Sequence, residues 1–360
     1  MTRFVIVGAG PVGFHLGREI GRRSRVVFSD TCPRVSSAIR ALGHTAIEYP
    51  LDAFEWRRDD IAVLATKATA AIAAVEPIPQ GVPIVCVSNG LNPDLRAARA
   101  GQVAFATVDF AVSRNGEGSV VCTRRGRITL SRTSAKRATE RLAASLAGSS
   151  VRASIARDIE PHLWSKLLLN ASLDAVAALT GQTLGQVFGH TGSFHAFRRL
   201  LREGLAVLRA ARIPLRKVQG ITPSLLDRVV HTPVASGMAA LLARRSALRV
   251  ESSMLGDLRK GEPTEIDYLN GRIVEAAGRM GLDAVGHRRV IEICRDMEAG
   301  LAEPGLGAAQ LLEACPWPAP ASKPAPRRLR SPRARFRGPP ISATHAERSA
   351  RPSSRKTAGA

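Results

Sequence analysis

The sequence predicts an α/β half followed by an all-helical half, with a basic, disordered tail behind them. Three observations predict this. An apolar run, a glycine cluster, a helix and a second apolar run open the chain over residues 3–30. Strand-like and helix-like stretches alternate to about residue 151, after which only helical periodicity remains. From Pro316 to Ala360 the chain is rich in Pro, Arg, Ser and Ala and has no apolar period.

Residues 3–8 read as a short buried strand, and Gly8-Ala9-Gly10-Pro11-Val12-Gly13 follows it. A helix then runs to about Arg22, and Arg25–Asp30 reads as a second strand ending in an acid. This is the Rossmann setting that a Gly-x-Gly-x-x-Gly pattern requires. Gly8 permits the tight turn, Gly10 lets backbone approach a pyrophosphate, and Gly13 lets helix pack on strand. The helix N-terminus supplies N–H groups and the positive dipole end. Ala9, Pro11 and Val12 complete the candidate cofactor loop. Asp30 suits the adenosine ribose and NADH; Arg34 close behind suits the 2′-phosphate of NADPH. The spacing leaves both open, and Asp30 is also compatible with a turn before Pro33.

Ile61–Ala65 and Pro83–Val87 read as further strands. Each is followed by polar residues, Thr66-Lys67 and Ser88-Asn89-Gly90, at the sheet edge where ligands bind. An alanine-rich helix is expected after Lys67. Val103–Val112, Ser119–Thr123 and Arg127–Leu130 are strand-like, and a helix at about 133–147 with a segment near Val151 closes a domain over 1–153. Helices are expected at about 160–179, 194–211, 222–230, 234–259, 264–280 and 287–299, making a helical substrate domain over 154–302.

In the first of these helices Lys166, Asn170 and Asp174 stand four residues apart and share one face, and Gly181 is a natural stop. Leucines surround that face, so a lysine there is open to a lowered pKa.

The net charge is +22, but the segment 316–360 alone holds eleven Lys or Arg against Glu347. That tail suits only nonspecific contact with anionic polymers, and no nucleic-acid partner is otherwise expected. Five cysteines without a CxxC pair exclude a disulfide framework and a zinc site, so no metal is expected. No apolar run reaches signal-peptide or membrane-spanning length, which leaves the cytoplasm as the expected compartment.

Three blocks together resemble the ketopantoate reductase (2-dehydropantoate 2-reductase) family over roughly residues 3–300. They are the glycine loop 8–13; Trp164-Ser165-Lys166-Leu167-Leu168-Leu169-Asn170 with Ala178-Leu179-Thr180-Gly181; and Ser252-Ser253-Met254-Leu255 followed by Thr264-Glu265-Ile266-Asp267-Tyr268-Leu269-Asn270-Gly271. The resemblance implies a helical domain of the 6-phosphogluconate-dehydrogenase C-terminal type. It implies NAD(P)H-dependent reduction of a 2-oxo acid, usually ketopantoate to (R)-pantoate on the route to coenzyme A, with NADPH the family's expected cofactor and NADH admitted by Asp30. Lys166 would be the general acid and Glu265 the carboxylate that orients it. Asn170 and Ser253 would hold the substrate, with Asp174 beside them. Lys67, Asn89 and Ala111 would line the nicotinamide side. A homodimer is compatible with this.

This chain departs from the family pattern at three places. Asp174 and Val250 stand where amides are common, and Leu184-Gly185 replaces Asn-Gly. These changes bear on substrate choice more than on reaction type. The alternatives are a relative reducing a different branched or less polar 2-oxo acid, and a non-catalytic dinucleotide-binding redox sensor with a basic tail. Retention of both Lys166 and Glu265 weighs against the sensor.

Overall fold

Strand β1 (Arg3–Val7) lies in the middle of the sheet because neither of its faces tolerates water: Phe4, Val5, Ile6 and Val7 are all buried. The computed structural model describes residues 2–51, 53–114, 119–132, 135–232, 237 and 250–314. After β1 come α1 (Pro11–Gly21), β2 (Arg25–Asp30), α2 (Pro33–Ala41), β3 (Ala46–Glu48), β4 (Ile61–Leu64), α3 (Ala71–Val75), β5 (Ile84–Cys86), α4 (Pro93–Ala98) and β6 (Val103–Val108). The hairpin strands β7 (Ala111–Arg114) and β8 (Val120–Arg124), then β9 (Arg127–Ser131), α5 (Lys136–Ser145) and β10 (Arg152–Ala156) complete this half.

The eight-stranded sheet has the order β10-β9-β6-β5-β4-β1-β2-β3. Val5 pairs in parallel with Val27 of β2 on one side and Ala62 of β4 on the other. The strand order reverses there, so the carboxyl end of β1 is a topological switch point. One apolar layer, with Phe14, Leu16, Ile20 and Leu142, covers one face; a second, with Leu51, Val75, Ile78 and Leu95, covers the other. Among the described residues this is a mixed α/β sheet of the Rossmann type.

From Glu160 onward the described elements are helices: α6 (Glu160–Thr180), α7 (Leu184–Gly189), α8 (Thr191–Ala210), α9 (Pro223–His231), α10 (Ser253–Lys260), α11 (Ile266–Arg279), α12 (Val285–Glu298) and α13 (Ala308–Ala314). Helix α6 is apolar on most of its circumference and packs against α8, α10, α11 and α12. Gly181, in the left-handed region at φ 68°, ends it. No helix of the described residues is long and apolar enough to cross a membrane. The described residues fall in one compact unit, Met1–Pro320. The expected disordered tail, 316–360, lies outside the described residues.

Several local expectations are corrected. The helix expected over 234–259 does not run through 250–252. Ser252 is instead the N-cap of α10, its Oγ accepting the Leu255 N–H at 3.1 Å; residues 238–249 lie outside the described residues. The alanine-rich helix after Lys67 is only a 3₁₀ turn, Ala68–Ala70, and the short α3. The elements α2, β3 and α7 are further short elements, with α2 starting at Pro33 and α7 at a Thr183–Gln186 capping box.

A buried polar network ties four helices together. Asn270 Nδ2 donates to the Ala171 carbonyl at 3.0 Å and meets His287 Nδ1 at 3.1 Å. His287 Nε2 lies 3.0 Å from the Leu200 carbonyl, which only accepts, so Nε2 carries the proton and Nδ1 accepts. The Glu203 carboxylate accepts the Gly286 and His287 N–H groups at the start of α12. His287 is fully buried, and burial pushes its pKa down to about 4. Between there and the ordinary histidine value the unfolded imidazole binds a proton that the folded one does not. Stability therefore falls as pH drops through that window, by up to about 3 kcal/mol from this group. Denaturant unfolding should show a smaller loss between about pH 7 and pH 5 for His287→Gln than for the wild type.

Candidate active site

The glycine loop sits at the switch point and is shaped by close approach. A β-carbon on Gly13 would lie 2.0 Å from the Gly8 carbonyl oxygen, so only glycine lets α1 start this close to β1. A β-carbon on Gly10 would meet nothing within 4 Å. The space over Gly10 is therefore open, and the first turn of α1 has neither a side-chain cap nor an acid. That is the form of an anion cradle. The Asp30 carboxylate, at the end of β2, accepts the Ala9 N–H at 2.7 Å and the Cys32 N–H at 2.9 Å. It thus clamps the loop as well as presenting charge to it.

A cleft of about 610 Å3 runs from Gly10, Pro11, Val12 and Asp30 past Thr66 and Lys67 to Asn89, Ser253 and Glu265. Its size lies in the range of small-molecule and cofactor sites. At its far end the helical half reaches across. Glu265 Oε1 accepts the Ala68 N–H at 2.7 Å, and Asn89 Nδ2 donates to Oε2 at 3.5 Å. Glu265 is nearly fully buried; desolvation pushes its pKa up against the opposing pull of the Ala68 hydrogen bond. Thr264 Oγ1 accepts the Ile266 N–H and helps start α11, which leaves the Glu265 carboxylate to serve the other half.

The two lysines of the site have opposite environments. Lys67 Nζ meets Glu262 Oε2 at 2.6 Å and Asp257 Oδ1 at 3.0 Å. Partial burial would lower its pKa, but these two carboxylates outweigh that and raise it. Lys166 is 8% exposed, and its ammonium makes no hydrogen bond or ion pair among the described residues. Burial holds its pKa below the ordinary lysine value, with Arg124 adding to the effect and Asp109, Glu265 and Asp174 opposing it. The Asn170 amide is also without a hydrogen bond among the described residues. The Asp174 carboxyl is pushed up to about 7, first by desolvation and then by the charge of Glu265, against the pull of Lys166.

Of the residues expected from the sequence, Gly8, Gly10, Pro11, Val12, Asp30, Lys67, Asn89, Ser253 and Glu265 line the cleft. Ala9 and Gly13 shape the loop from beneath. Lys166, Asn170 and Asp174 stand on α6 outside the cleft lining, with Lys166 and Asp174 coupled electrostatically to Glu265. Arg34 is exposed and is not itself in the cleft lining, although its neighbour Val35 on α2 is. Ala111 lies in the β7–β8 hairpin opposite Arg124, outside the lining. Asp257 and Glu262, the partners of Lys67, were not singled out. Their only signal was their place inside the Ser252–Gly271 block. Leu184 and Val250 meet through backbone, the Leu184 N–H donating to the Val250 carbonyl at 2.8 Å, and the Leu184 side chain joins the helical core.

Fold and cleft define a class: a Rossmann-type half with an open glycine loop at its switch point, joined to a helical half that brings Ser253, Asp257, Glu262 and Glu265 to the same cleft. Residues 158–298 match the family model described as Ketopantoate reductase PanE/ApbA C terminal. A 2-dehydropantoate 2-reductase of Archaeoglobus fulgidus is 26% identical over 45% of this chain; the chain thus spans about half, 49%, of that curated relative. An uncharacterized oxidoreductase of Bacillus subtilis is 24% identical over 78% of this chain and 94% of its own length. The crystal structure of a PanE/ApbA family ketopantoate reductase from Ralstonia eutropha JMP134 shares the fold, with a TM-score of 0.67, 23% identity and coverage of 83% of this chain and 99% of that one. The chain resembles the ketopantoate reductase family.

Gly10→Val tests the cradle. The added side chain has room and no backbone strain, so the melting temperature should stay within about 2 °C of the wild type. NADH and NADPH binding, followed by fluorescence titration, should weaken at least about tenfold.

Proposed function

We propose that the chain reduces a 2-oxo acid with a nicotinamide dinucleotide, and that 2-dehydropantoate, reduced to (R)-pantoate for pantothenate synthesis, is its first candidate substrate. The observation that carries this is the buried ammonium of Lys166, unpaired among the described residues and electrostatically coupled to Glu265, which lines the cleft that begins at the glycine loop. A bound reduced nicotinamide supplies the hydride. As the carbonyl oxygen gains charge, Lys166 Nζ stabilises it and gives up a proton; its lowered pKa eases that transfer. Glu265, fixed by Ala68 and Asn89, holds the opposing charge in place. The unbonded amide of Asn170 and the Ser253 hydroxyl hold the substrate's polar groups.

Asp174 supports a polar substrate in spite of replacing an amide. Near neutrality part of its population is protonated, and a protonated carboxyl donates a hydrogen bond as an amide does. Above that range its charge repels a carboxylate substrate. For the cofactor, the Asp30 carboxylate in the cleft supports NADH, and exposed Arg34, next to the lining residue Val35, supports NADPH. A cytoplasmic setting goes with this reading. The second reading, a different branched or less polar 2-oxo acid, is favoured by the apolar packing of Leu184.

Oxidation of NADH and NADPH should be followed with 2-dehydropantoate and a panel of 2-oxo acids. Lys166→Met should lower kcat by about 100- to 10,000-fold while NADH still binds; turnover by neither cofactor with any panel member would overturn the reductase reading. In the wild type, kcat/KM should fall as pH rises through about 7, where Asp174 ionises. In Asp174→Asn that decline should vanish between about pH 6 and 8, leaving only the alkaline loss from Lys166.

A further inference from the structure

A second cavity, of about 500 Å3, opens beside the start of α6. It is bounded by the β8–β9 turn, the strands β9 and β10, and the loop 217–220. Among the described residues, Arg124, Arg125, Arg127 and Arg152, with Lys217, line it around a single carboxylate, Asp109. Five cations against one acid leave a formal charge of +4. His162 adds none near neutrality, since burial lowers its pKa. Among the described residues none of the five cations forms an ion pair; Arg124 Nη2 donates to the Asp109 main-chain carbonyl at 3.0 Å. Some other surface arginines do meet carboxylates, as in Arg209–Asp227 and Arg295–Asp267.

Like charges around a concave wall repel one another and focus a positive potential into the cavity. Guanidinium groups are matched by phosphoryl or carboxylate oxygens, which accept two parallel N–H bonds. Among the described residues the only ring in the lining is His162, which is not a stacking platform for nucleic-acid bases. Its size suits a small molecule. We propose that this pocket binds a small, multiply charged phosphoryl or carboxylate anion. Arg124 and Asp109 act on Lys166 from this pocket while Glu265 acts on it from the cleft, so an occupant changes the field at the proposed acid. Two sources share the chemistry: a second anionic group on the substrate, and a separate effector.

Calorimetry with inorganic pyrophosphate, on the full chain with NADH saturating the cleft, tests the site without turnover. One saturable site per chain is expected. Arg127→Glu with Arg152→Glu should weaken it at least about tenfold, and Arg127→Gln with Arg152→Gln should also weaken it, with melting curves confirming that both variants fold. A tail variant, Arg333→Glu with Arg335→Glu, should bind as the wild type does. No saturable binding, unchanged affinity in both pocket variants, or loss confined to the tail variant would overturn the proposal. A second arm rests on the reductase reading and names the source. Pyrophosphate competitive with the 2-oxo acid assigns the pocket to the substrate's distal group; any other pattern, with the calorimetric site intact, assigns it to an effector.

Discussion

The site depends on how closely two chain segments approach, residues 66–91 from the sheet and residues 262–268 from the helices. Gly90 has φ 74°, and a β-carbon there would lie 2.5 Å from the Tyr268 carbonyl oxygen. The Leu91 N–H donates to that same carbonyl at 3.2 Å. Beside this contact, Glu265 takes the Ala68 N–H and Lys67 takes two carboxylates from the helical half. A buried carboxylate without donors costs roughly several kcal/mol. Here the donors come from the other half of the fold, so bringing the halves together and assembling the acid–base wall are one event.

That closeness divides the labour between the lysines. Lys67 sits at the cleft wall with Asp257 and Glu262 in reach, keeps its proton firmly, and ties the halves together. Lys166 is buried on α6, outside the cleft lining and among leucines, and burial makes its proton easier to release. The residue type is the same, and the partners decide the role. Asp30 shows the same economy. It presents its charge at the glycine-loop end of the cleft, and both of its oxygens hold backbone N–H groups that keep the loop in shape. Charge at this end of the cleft and loop geometry therefore change together.

Much of this was legible in residue order. The glycine loop carries its own reasons, since Gly13 must touch Gly8 and Gly10 must leave space. Helix α6 was readable from its leucine period and from Gly181. Glu265 was readable as a residue at a helix start, though not as a group reaching Ala68. What was not legible depends on distant partners. Asp257 and Glu262 are ordinary surface acids until Lys67, some 190 residues earlier, is folded against them. Arg124 and Arg127 flank one short turn, but Arg152 comes much later in the chain, and the pairing of β9 with β10 sets it beside Arg127 at the same cavity. The reading of one helix over 234–259 passes over Ser252, whose hydroxyl caps the start of α10, and the reading of an alanine-rich helix after Lys67 passes over how short α3 is.

The sequence by itself determined the Rossmann order of the first half, the helical nature of the second and the residue types at the candidate site. These follow from period, glycine spacing and capping, which act over a few residues. Tertiary structure decided which lysine is paired and which is not, whether Asp30 serves the loop as well as the cleft, and that Asp174 titrates near neutrality. Those properties belong to desolvation and to the nearest charge, and both are set by segments far apart in the chain.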